Sequence, residues 1–149
     1  MENQNGNMVA GDQQKERIRL SYCHVLKTYL QLHEKYTSLK VNIIDDELKK
    51  YFHLLDYLFL DSTGKIKWDS IRLLMPPNIE DNIKKEYDLL SENEIRLCCL
   101  ILCNVTARDI TAILPFTQKS IYAVTNRIKK KTGMKDIRED LKSFVILQK

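Results

Sequence analysis

Between Gln118 and Lys131 the chain carries Lys119, Arg127, Lys129, Lys130 and Lys131 and no acidic residue. Cations grouped in this way can neutralise a row of phosphates, and each one neutralised on duplex DNA releases roughly 0.9 counterion. Tyr122, Ala123 and Asn126 stand on the polar side of the same segment, and the four-residue step from Tyr122 to Asn126 puts those two on one helical face. An asparagine amide offers a donor beside an acceptor, the pattern that fits adenine in the major groove. These residue types therefore fit recognition of a polyanion with readable edges. A solvated basic helix is the competing reading.

Local signals say how the chain would hold those residues. Thr117 is placed to cap a helix from about Gln118 to Lys131, Ile121, Val124 and Ile128 form its inward side, and Gly133 stands just past its end. Upstream, Ser91 with Glu94 three residues later is a capping box opening an apolar helix, and Asn104 follows where the left-handed conformation is wanted. Thr106 caps a short helix from Ala107 to Leu114, with Ile110 and Leu114 inward, and Pro115 stops it. Helix, short helix, turn and basic helix in this order is a helix-turn-helix layout. Asp136 with Glu139 repeats a capping arrangement before a fourth helix whose Ile137, Leu141, Phe144 and Val145 share a face.

Residues 90 to 134 resemble the LuxR/GerE helix-turn-helix: LSENE matches its opening, TARDITAIL its second helix, TQKSI the turn into the recognition helix and IKKKTG its end. Residues 47 to 145 are similar to the cytoplasmic output end of bacterial regulators that carry tetratricopeptide repeats and a membrane helix, through Trp68, Pro77 and NIKKEYDLLSENEIRLC. The resemblance implies a sequence-specific, dimeric transcription regulator that binds double-stranded DNA. Tyr122, Ala123 and Asn126 would face bases, Lys119, Arg127 and Lys130 would hold phosphates, and Thr117 and Ser120 would line the DNA-facing turn. In that family the fourth helix pairs subunits. The chain departs from the pattern at Asn104 and Pro115, where glycine is usual, at Tyr122 in place of a common lysine, and at Thr132 in place of a leucine. Thr132 lies on an inward face and is expected to loosen the end of the recognition helix.

The remainder reads as helix as well. Four glycines, three prolines and apolar residues recurring every three or four positions predict an all-α chain. Residues 1 to 15 are polar, without periodicity, and are expected to form a disordered leader; residues 16 to 89 form a helical dimerisation or linker region, and residues 90 to 149 the DNA-binding domain. Ile18, Tyr22, Val25, Tyr29, Leu32, Tyr36 and Leu39 alternate four and three apart, a seam that fits either a coiled-coil pairing of two copies or packing on its own domain. We expect it to pack partly on residues 46 to 89, leaving the face from Ile137 to Val145 to pair copies. DDELKKYFHLLDYLFL predicts a capped amphipathic helix with its apolar side in the core, a short helix spans Trp68 to Leu74, and Asn78 is placed to cap a further one.

Charge divides along the chain: residues 105 to 149 carry 10 Lys and Arg against 4 acids, while the preceding 104 carry 14 against 16. A basic tail on an otherwise acidic chain suits a polyanion partner. Cys23, Cys98, Cys99 and Cys103 lack a disulfide or zinc spacing and are expected as buried thiols in a reducing cytoplasm. His24, His33 and His53 lack ligand spacing, and no nucleotide loop, nucleophile elbow or carboxylate pair stands out. No metal, cofactor, enzymatic activity or membrane contact is expected. The alternative function is an interaction module that docks its helix-turn-helix on RNA polymerase or another protein.

Overall fold

The computed structural model describes residues 2–145, with side-chain surroundings from residue 11 onward. Among the described residues every regular element is helical: α1 Glu2–Val41, α2 Asp46–Phe59, α3 Trp68–Leu73, α4 Ile79–Glu86, α5 Glu92–Leu102, α6 Ala107–Ile110, α7 Gln118–Thr132 and α8 Ile137–Leu141, then a 3-10 turn at Lys142–Phe144. One antiparallel bridge joins Leu60 to Ile66 around the turn at Gly64, whose φ of 82° suits glycine. None of these helices is long and apolar enough to cross a membrane.

The centre of the molecule is α5. Its Ile95, Leu97, Cys98, Cys99, Leu100 and Leu102 are buried, because α4 and α8 cover it with Ile79, Ile83, Ile137 and Leu141. Val145 is buried too, and Phe144 lies tilted against Tyr87, 6.2 Å between ring centres. Three of the four residues on the face expected to pair copies, Ile137, Leu141 and Val145, thus pack inside their own domain, while Phe144 is half-buried. Burial holds the cysteine thiols in the core: it pushes Cys98 up to about 12 and Cys99 well above the usual thiol range.

α1 begins at Glu2, so it includes most of the expected leader. A helix already anchored extends at one hydrogen bond per residue, without a new nucleus. Its Glu16 meets Lys142 at 3.6 Å beside the C-terminal turn. The buried stripe of α1 is Arg19, Cys23, Leu26 and Leu30; of the seam read in the sequence, Ile18 and Tyr29 pack partly on the core and Tyr36 on Phe52, while Val25, Leu32 and Leu39 stay exposed. The core is continuous from this stripe through Ile66 and Ile71 to Val145, crossing residue 90 without a break.

Arg19 explains why a charged residue sits in that stripe. Its Nη1 donates to the Leu102 carbonyl at 2.8 Å and to Asn104 Oδ1 at 3.2 Å, while its Nε donates to Glu16 at 2.9 Å. A cation at the C-terminal end of α5 satisfies an orphan carbonyl and meets the negative end of the helix dipole. Cys23 Sγ beside it accepts from Arg19 Nη1 at 3.8 Å, and the neighbouring Cys103, with help from Arg19, lowers the Cys23 thiol to about 7 against the cost of burial.

α2 departs furthest from expectation. Asp45 caps it, accepting from the Glu47 and Leu48 amides at 2.8 and 3.2 Å, yet not one of its residues is buried. It meets α1 through Tyr36, which stacks on Phe52 at 5.1 Å and donates to Asp56 at 2.7 Å, and through the ion pair of Lys40 with Asp56. The helix expected to be core is instead an arm. Asn78 also differs: it precedes α4 at φ 62°, left-handed, and its side chain makes no capping bond.

Candidate nucleic-acid interface

α6 and α7 present the basic segment. Thr106 Oγ1 accepts from the Asp109 amide at 3.3 Å to start α6, which closes after one turn at Ile110; the chain to Leu114 continues as turns instead of the longer helix expected. Ile110, Ile113 and Leu114 are buried there. Asn104 adopts φ 61°, the left-handed conformation its position calls for.

α7 starts with a reciprocal cap. Thr117 Oγ1 accepts from the Ser120 amide at 3.1 Å, and Ser120 Oγ accepts from the Thr117 amide at 2.9 Å while donating to the Thr117 carbonyl at 3.0 Å. Both hydroxyls named for the DNA-facing turn thus hold the helix start. Ile121, Val124 and Ile128 are buried, which fixes the roll of the helix and turns Lys119, Tyr122, Ala123 and Lys130 outward. Tyr122 is 73% exposed; Asn126 is half-buried at the edge of the same face. Gly133, at φ 78°, ends the helix by donating to the Lys129 carbonyl at 2.8 Å.

Glu94 locks α7 onto α5, a role that a capping-box reading does not contain. Only 1% exposed, it receives Arg127 Nε at 3.0 Å and Lys131 Nζ at 2.7 Å while also accepting from the Ser91 amide at 2.8 Å. Burial alone would raise its pKa, but Lys131, the Ser91 amide and Arg127 together outweigh it and hold the carboxyl at about 2. Arg127, expected on a phosphate, therefore has its Nε engaged inside the protein. Each of these cations stands three residues after a buried position, Arg127 after Val124 and Lys131 after Ile128, but their acceptor lies 33 and 37 residues earlier.

Thr132 is likewise better placed than its departure from leucine suggests. Its hydroxyl donates to the Ile128 carbonyl at 2.8 Å and accepts from the Met134 amide at 3.2 Å, so the end of α7 is tied down. No group of metal-ligating side chains is assembled among the described residues. Comparisons with protein-family profiles, curated proteins and solved structures find no match.

Proposed function

We propose that the chain is a sequence-specific DNA-binding transcription regulator that inserts α7 into the major groove. The observation that carries this reading is the outer face of α7: Lys119, Tyr122, Ala123 and Lys130 are exposed together on a helix without an acid, while its inner face is fixed by Ile121, Val124, Ile128 and the Glu94 pairs. A groove-reading helix needs a rigid roll and cations at its rim, and this helix has both. Tyr122, Ala123 and Asn126 would face base edges, and Lys119 and Lys130 would hold phosphates. Arg127 would join them only through the guanidinium nitrogens that Glu94 leaves free.

Selection of bound sequences from random duplexes, followed by fluorescence anisotropy over a salt series, tests the proposal. Lys119→Glu with Lys130→Glu should weaken binding to all duplexes alike and flatten the salt dependence. Asn126→Ala should relax preference at one position by about 1–3 kcal/mol. No binding above that of an equally basic control peptide would sink the reading. The 73% exposure of Tyr122 favours a second one, in which the same face docks on RNA polymerase or another protein with Tyr122 as its anchor; Tyr122→Ala would then abolish protein capture without touching DNA affinity.

A further inference from the structure

We propose that Cys23 and Cys103 form a peroxide-reactive dithiol site, in which Cys23 attacks the peroxide and Cys103 closes a disulfide between α1 and the end of α5. The inference stands apart from the nucleic-acid reading. The four cysteines divide by place. Cys98 and Cys99 lie fully buried within α5, while Cys23 and Cys103 line one cleft of about 240 Å3 where α1 crosses the end of that helix. The cleft is several times the ~30 Å3 that a water molecule occupies, so it has room for a small hydroperoxide.

Arg19 prepares the first sulfur. It stands four residues before Cys23 on the same face of α1, and its Nη1 donates to Cys23 Sγ at 3.8 Å. Glu16, the Leu102 carbonyl and Asn104 Oδ1 fix the guanidinium, which keeps the cation beside the sulfur. Cys23 Sγ also lies 3.9 Å from the Leu102 carbonyl, one residue before Cys103 in the chain. Cys103 itself caps the C-terminal end of α5, where the helix dipole disfavours a thiolate.

The acidities of the two thiols divide their roles in the same way. Cys103 and Arg19, aided by Arg138, hold Cys23 at about 7 against burial and Glu16, so roughly half of it is thiolate at neutral pH. Cys103 keeps its proton, because Cys23 and burial hold it well above the usual thiol range. Burial alone suffices to keep Cys98 and Cys99 protonated and inert.

The Cys23 thiolate attacks one peroxide oxygen, so that an S–O bond forms and the O–O bond breaks. Cys23 becomes a neutral sulfenic acid, and the released hydroxide takes up the proton that Cys23 had lost to solvent. With the Cys23 charge gone, one cause of the high Cys103 value disappears. Cys103 then gives its proton to the sulfenic hydroxyl as its sulfur attacks Cys23: the S–S bond forms, the S–O bond breaks and water leaves. Two thiols have lost two electrons, and one peroxide has become two waters.

Exposure of the reduced full chain to stoichiometric hydrogen peroxide, followed by alkylation and peptide mass mapping, tests this. The expected product has lost two hydrogens, retains two of its four free thiols and yields a peptide pair joined through Cys23 and Cys103. Dithiothreitol should restore the starting chain. Cys103→Ser keeps a donor beside Cys23 but removes the closing sulfur, so oxidation should stop at a sulfenic acid on Cys23 that dimedone captures. Cys23→Ser should slow thiol loss at least tenfold. A wild-type chain whose thiols survive peroxide as long as those of Cys23→Ser overturns the proposal. So does a disulfide made through Cys98 or Cys99, or a sulfenic acid on Cys23 that persists while Cys103 is present.

Discussion

α5 and α2 begin alike and end differently. Each is a capped amphipathic helix, opened by Ser91 in one and Asp45 in the other, but α5 buries seven of its eleven residues and α2 buries none of fourteen. Amphipathicity states that one side needs cover; it does not state what provides it. α5 receives α4, α8 and the Arg19 stripe of α1 from its own chain, whereas α2 receives from α1 the stack of Tyr36 on Phe52, the Tyr36 hydroxyl on Asp56 and the Phe52 carbonyl, and the Lys40–Asp56 pair. One region is covered by its own chain, and the other is left largely open among the described residues.

Stability should follow that division. Ile128→Ala, at a fully buried position between α7 and the core, is expected to cost about 2–5 kcal/mol in urea unfolding, through lost burial and an unfilled cavity. Leu54→Ala on α2, exposed to solvent, should fall within about 0.5 kcal/mol. Equal losses at the two sites would erase the comparison, because the arm would then be as well packed as the domain.

The Glu94 cluster ties α7 to α5, and acid should dissolve it. A carboxyl held at about 2 in the folded protein against an ordinary value near 4.5 means that the unfolded chain binds more protons between those limits. The contribution is fully present above pH 4.5 and is lost as pH falls towards 2; at about 1.4 kcal/mol per pH unit it amounts to about 3 kcal/mol. Glu94→Gln should remove that slope and leave Arg127 and Lys131 unpaired. A variant with the wild-type acid profile would place the slope on another carboxylate.

Much of the domain was legible because its signals are local. Ser91 with Glu94, Thr106, Thr117, Asn104 and Gly133 each act within a few residues of themselves, and each stands where its type demands. The cations on Glu94 and the Leu102 and Asn104 oxygens on Arg19 were not legible, since contacts across 33 to 85 residues follow from tertiary packing alone. Arg19 did leave a trace: one cation in the line Arg19, Cys23, Leu26, Leu30 breaks an otherwise apolar stripe. Of the seam from Ile18 to Leu39, Ile18, Tyr29 and Tyr36 pack within the chain and Val25, Leu32 and Leu39 do not, because the fully buried stripe runs beside the seam and a wide apolar stripe fits two phases of the helix.

Arg19 is where the complete region grips the helix that carries the arm. Arg19→Met keeps the apolar stem and removes the donors to Leu102 and Asn104, leaving a buried carbonyl at the end of α5 without its partner. The expected cost is roughly 2 kcal/mol. Hydrogen exchange should show protection falling along α1 while the amides of α7 keep theirs. Uniform loss across both helices would mean that α1 and the domain open together, with no seam between them.

The smallest effect separates backbone strain from that same contact. Asn78 and Asn104 share a left-handed conformation, at φ 62° and 61°, which glycine adopts without cost. At Asn78 the side chain makes no capping bond, so Asn78→Gly should be stabilising by up to about 1 kcal/mol once the larger entropy of the unfolded glycine is subtracted. At Asn104 the side-chain oxygen accepts from Arg19, so the same gain is offset by a lost charge-assisted bond, and Asn104→Gly should be neutral or slightly destabilising. In an Arg19→Met background that bond is already gone, and Asn104→Gly should recover the gain seen at Asn78. The double-mutant cycle thus measures the grip between α1 and the domain without cutting either. If Asn104→Gly stabilises the wild-type chain as much as Asn78→Gly does, the Arg19–Asn104 bond contributes nothing, and α1 is held by its apolar stripe alone.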